Sequence, residues 1–104
     1  MRVMRRPNVL VVGDDLDMVV NLGILLRSEG INVTLASGAH EIPEATAQFQ
    51  PDMVLLHVPK PASARAVAQA LMECCGPQRP LLYHVTKPLD PETVLRVVQS
   101  ISPT

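Results

Sequence analysis

Four times along this chain a short apolar run gives way to a segment whose apolar residues recur at helical spacing. Asn8 to Val12 is followed by Met18, Val19, Leu22, Leu25 and Leu26, Ile31 to Ala36 by 39–49, Met53 to Val58 by 63–75, and Leu81 to Thr86 by a last segment opening at Asp90-Pro91-Glu92. Strands alternating with helix-length connections predict a parallel sheet covered on both faces, with right-handed crossovers. The 104 residues suffice for one such domain and not for two.

The runs differ in a way that bears on their place in the sheet. Val9 to Val12 and Met53 to Leu56 are continuously apolar, as in strands buried on both faces, whereas Ile31 to Ala36 alternates and suits a strand nearer the edge. Asp14, Asp15 and Asp17 can cap the first helix, and Gly30 ends it in the position after the cap. Pro43 is tolerable only in a first turn, so the second helix is expected to start late or with a distorted turn. Pro59-Lys60-Pro61 reads as a rigid loop, and an Ala-rich helix over 63–75 carries Ala64, Val67, Ala68 and Leu71 on one face. Pro91 takes the favoured first helical position of a segment that buries Val94, Leu95, Val98 and Ile101.

Composition narrows the chemistry. Nine Lys plus Arg against ten Asp plus Glu give no reason to expect a nucleic-acid partner, and one Phe, one Tyr and no Trp supply neither a base-stacking platform nor an aromatic cage. Cys74 and Cys75 are neighbours, a poor geometry for bridging and the wrong spacing for zinc, and read as helix residues in a reducing compartment. Arg2, Arg5 and Arg6 make residues 1–7 a basic extension to a single domain over 8–104. The acidic cluster interrupts the apolar run that follows, so neither a signal peptide nor a membrane span is expected, and the predicted location is cytoplasmic.

In open sheets of this type ligands sit outside the carboxyl ends of the strands. That rule selects the turns Gly13 to Asp17, His57 to Pro61 and Thr86 to Pro88. At those turns the chain resembles the receiver domain of two-component response regulators, of the chemotaxis-regulator type. Val9 to Asp17 is similar to the apolar strand running into acidic residues with which such domains open. Pro51-Asp52-Met53-Val54-Leu55-Leu56-His57-Val58-Pro59-Lys60-Pro61 follows their middle signature, with His57 where the phosphoacceptor Asp stands. Thr86-Lys87-Pro88-Leu89-Asp90-Pro91-Glu92 resembles their closing Lys-Pro motif.

The resemblance implies a flavodoxin-like, doubly wound parallel sheet. Only Leu81 to Thr86 lies between Pro80 and Lys87, so one strand and one helix are missing and four strands in the order 2-1-3-4 are expected. It further implies a phosphoacceptor pocket formed by Asp14, Asp15, His57, Thr86 and Lys87, here vestigial. An active receiver uses an Asp nucleophile, a magnesium ion held by acidic residues, and a Lys on the phosphoryl oxygens. Gly13 replaces the first member of the acidic pair while Asp14 matches the second, and His57 brings no oxygen to an ion that prefers oxygens. Magnesium binding is therefore expected to be lost or very weak, with no other cofactor, and Lys87 is read as a structural ion-pair partner of the acidic turn.

The chain is accordingly read as a non-enzymatic signalling module of the phosphorelay type that acts by protein contact. Its expected partners are a histidine kinase or regulator and a second copy of itself, with no nucleic acid and no membrane. The bland role for His57 is a polar side chain at the pocket rim, hydrogen-bonded to Asp14. Two alternatives stand beside this reading. One is an active phosphotransfer protein with His57, Asp14 or Asp15 as acceptor; the other is a metal-binding α/β domain using Asp14, His57 and His84, since imidazole suits zinc or nickel. A nucleotide site is disfavoured because the first turn lacks the three-glycine spacing.

Overall fold

The computed structural model describes residues 7–58, 60–76, 80–85 and 91–100. Strand β1 (Asn8–Gly13) lies inside the sheet, paired in parallel with β2 (Asn32–Ala36) on one side and β3 (Met53–His57) on the other. Strand β4 (Leu81–His84) pairs in parallel with β3, which gives the expected order β2-β1-β3-β4. Because successive side chains point to opposite faces, the two continuous runs feed two cores. Val9, Val11, Met53 and Leu55 pack on one face, and Leu10, Val12, Val54 and Leu56 on the other.

Helices α1 (Leu16–Ser28) and α4 (Pro91–Gln99) cover the first face, through Met18, Val19, Leu22 and Leu26 and through Val94 and Val98. Helices α2 (Ile42–Gln48) and α3 (Pro61–Cys75) cover the second, through Ile42, Val67 and Leu71. Gly30, at φ +80°, supplies the left-handed turn that ends the first unit. Among the described residues no helix is long and apolar enough to cross a membrane.

Several boundaries depart from the pattern reading for local reasons. The second helical segment opens with a 3₁₀ turn at Ala39–Glu41, so that Pro43 falls in the first turn of α2, where its missing N–H costs nothing. Helix α3 starts at Pro61 rather than at residue 63, because Pro61 already has the helical φ and Lys60 in extended conformation can act as the cap. Strand β3 stops at His57 and β4 at His84, short of Val58 and Thr86, although the Val85 N–H still donates to the Leu56 carbonyl at 2.8 Å. Thr86, Lys87 and Ile101 lie outside the described residues.

A polar clamp sets the register at the amino ends of the strands. The Asn8 N–H donates to the Asp52 carboxylate at 2.8 Å and the Asp52 N–H returns to the Asn8 carbonyl at 2.7 Å. The Leu81 N–H donates to the Asp52 carbonyl, and the Asn32 N–H to that of Pro7, so all four strands start from one bonded cluster. The consequence appears at the other end, where the same register sets Gly13 beside His57. There is no space between them: a Cβ on Gly13 would sit 2.9 Å from Val19 Cγ2 and 3.0 Å from the His57 carbonyl oxygen. Gly13→Ala is therefore expected to destabilise the fold by about 1–3 kcal/mol through overpacking, read as a lower urea midpoint at unchanged slope.

Candidate functional site

The carboxyl ends of β1 and β3 are built from Gly13, Asp14 and Asp15 on one strand and His57 on its neighbour. Asp15 has left the pocket for the helix: it is the N-cap of α1, and its carboxylate accepts the Met18 N–H at 3.3 Å. Asp14 is exposed, and Gly13 has no side chain to offer. Among the described residues at the tips of these two strands, only Asp14 thus presents an exposed carboxylate, and the donor set does not fit a magnesium ion, which demands several oxygen ligands.

His57 does not bond to Asp14, contrary to the expectation from sequence. Its half-buried ring turns instead toward the end of β4, where Nδ1 lies 2.8 Å from the Val85 carbonyl oxygen. The reason is the ladder: the Val85 N–H is already held by the Leu56 carbonyl, and His57 is the last residue of β3. The ring therefore reaches the neighbouring carbonyl just where regular strand pairing ends. A carbonyl oxygen only accepts, so Nδ1 carries the hydrogen that bridges the two.

The proposed zinc or nickel set is not assembled. His84 pairs in register with Leu56, not with His57, and alternation along the strands therefore sends the two imidazoles to opposite faces of the sheet. Among the described residues no three His, Cys, Asp or Glu side chains converge on one point. Cys74 is exposed at the end of α3, while the thiol of Cys75 is pushed up by burial and by its neighbour Cys74.

Two features of this end of the sheet were not anticipated. A cleft of about 270 Å³ opens beside the tips of β1 and β2, lined by Gly13, Asp14, Leu16, Val19, Ser37 and Glu41 among others. Glu41 closes one side by accepting hydrogen bonds from the backbone N–H and the hydroxyl of Ser37, which hold its carboxyl below the usual range. A serine after a strand followed four residues later by a glutamate is a visible signal for such a local loop. The Val85 carbonyl, by contrast, has no signature in the sequence, because any residue supplies one.

No family model matches the sequence, and no curated protein matches it. Its backbone, however, is similar to solved structures over nearly its whole length. The chemotaxis response regulator CheY4 of Vibrio cholerae superimposes with a TM-score of 0.75 at 18% identity, over 92% of this chain and 98% of that one. A chain of the co-crystal structure of the Saccharomyces cerevisiae histidine phosphotransfer protein Ypd1 with the receiver domain of Ssk1 gives 0.72 at 17% identity, over 97% and 92%. The pseudo-receiver domain of the CikA protein gives 0.67 at 20% identity, over 94% and 98%. At such identities the likeness is one of architecture, and in that sense the chain has the fold of the response regulator receiver domains of two-component signalling.

Proposed function

We propose that this chain is a receiver-like signalling module that is not phosphorylated and works by protein contact, without catalysing a reaction. The observation that carries the reading is the bond from the His57 ring to the Val85 carbonyl. It places an imidazole where the resemblance expects a carboxylate nucleophile and turns that ring's donor toward the backbone. Gly13 supports the same conclusion, since a carboxylate restored there meets Val19 and the His57 backbone before it reaches any ion. Magnesium binding is lost or very weak on this account, and no other cofactor is needed.

The partners that suit such a module are a histidine kinase or another regulator of a two-component pathway, and a second copy of the chain. The Ssk1 receiver domain in complex with Ypd1 is a case in which a receiver meets a signalling protein, and we extend the partner class, not the partner, to this chain. A cytoplasmic location follows from that class of partner. A second reading has one observation in its favour: with Nδ1 engaged by the Val85 carbonyl, Nε2 is the ring nitrogen left to act as a nucleophile. Phosphate on His57 is acid-labile, and acid-stability thus separates it from other sites.

Incubation with acetyl phosphate and magnesium is expected to leave the intact mass unchanged, and a species heavier by one phosphoryl group overturns the proposal. Replacement His57→Asp removes the ring donor and sets a carboxylate toward the Val85 carbonyl. It is expected to cost about 1–3 kcal/mol and still to incorporate no phosphate; rapid labelling of that single variant contradicts the account of Gly13.

A further inference from the structure

Helix α1 carries more apolar surface than the core uses. Besides its buried face, Leu16 is 71% exposed, Val20 38% and Ile24 59%. Their spacing of four residues makes one continuous stripe along the outer side of the helix. A helix apolar on two sides is ordinarily covered on both. The charged residues beside the stripe are arranged with a direction, Asp17 in the first turn and Arg27 in the last. They stand ten positions apart, about 15 Å along the axis at the helical rise.

We infer that this stripe is a self-association surface, on which α1 of a second copy packs antiparallel about a two-fold axis level with Leu22. The occupant is a second copy because the face is complementary to its own reverse. With the axis at that level, Val20 faces Ile24 of the second copy, and Asp17 stands level with Arg27 of the second copy twice over. A parallel arrangement sets like charges together. Arg27 remains able to take part, since its Nη2 donates to the Val33 carbonyl at 3.1 Å and a guanidinium has five donors. The antiparallel orientation also opposes the two helix dipoles favourably. One helix face covers less than the roughly 800 Å² per partner of a standard stable interface, so the dimer is weak, in the micromolar range.

The inference rests on the contact-module reading, and the two fail separately: phosphodonor labelling tests that reading, and solution mass tests this one. A second exposed apolar surface among the described residues, the edge strand β4 with Leu81 58% and Leu82 39% exposed, serves as the internal control. Sedimentation equilibrium of the whole chain up to about 1 mM, a concentration well above the expected micromolar constant, is expected to show reversible dimers. Ile24→Glu is expected to weaken them by roughly tenfold or more by setting a charge in the apolar contact, and Leu81→Glu to leave them unchanged. Asp17→Arg and Arg27→Glu are each expected to be monomeric alone, and an equimolar mixture to dimerise, because both charge pairs are complementary only in the mixed species. Folding of each variant is checked by its urea midpoint, and Val20→Glu replaces Arg27→Glu in the single-variant comparison if loss of the Val33 bond unfolds the chain. A monomeric wild type at the highest concentration overturns the inference. So does loss of dimer in Leu81→Glu but not Ile24→Glu, or failure of two folded charge variants to pair.

Discussion

In the parallel register of β1 and β3, Gly13 lies beside His57 with too little room between strand and helix for even a methyl group. That register is set at the far end of the sheet, where Asn8 and Asp52 exchange backbone and carboxylate bonds. The clamp and the absent acid are therefore linked. Once the amino ends are locked, the strand tips arrive close together, and Val19 of α1 fills the space that a first acidic side chain would need. The lack of a side chain at Gly13 is thus a matter of packing as much as of residue identity.

The imidazole adds to this. A carboxylate at the tip of β3 has only acceptors, and in a receiver they are directed at a cation. The ring at position 57 has a donor, and it is directed at the Val85 carbonyl. In this chain that position holds the end of the neighbouring strand. Meanwhile the apolar stripe of Leu16, Val20 and Ile24 begins at the lip of the cleft beside Asp14, since Leu16 belongs to both. The exposed apolar stripe of the first helix thus borders the cleft at the strand tips.

Much of the architecture was legible from residue pattern. Val9 to Val12 and Met53 to Leu56 are apolar without alternation because both faces of the sheet are covered, and Asn32 and Val33 alternate because β2 is an edge. Pro43 announced the irregular start of α2, and the Asp14, Asp15 and Asp17 cluster the cap of α1, a role that falls to Asp15. Boundaries were less legible where a proline both ends a loop and starts a helix, as at Pro61. At the site, the pattern identified His57 and Gly13 as departures but not their consequences, which depend on a carbonyl 28 residues away, just past the end of β4. The outer stripe of α1 was present in the sequence at the same helical spacing as the core stripe. Reading only the stripe that continues the sheet's core concealed it.

The central claim is that the His57 ring is committed through Nδ1 to the backbone and that the tips of β1 and β3 hold no divalent cation. Side-chain nitrogen NMR of the histidines, recorded before and after addition of magnesium and beryllofluoride, reads both halves at once. The account predicts a hydrogen on Nδ1 of His57 and no shift at His57 or Asp14 on addition. An Nδ1 without hydrogen, or saturable shifts at those two residues with the added ions, would contradict it.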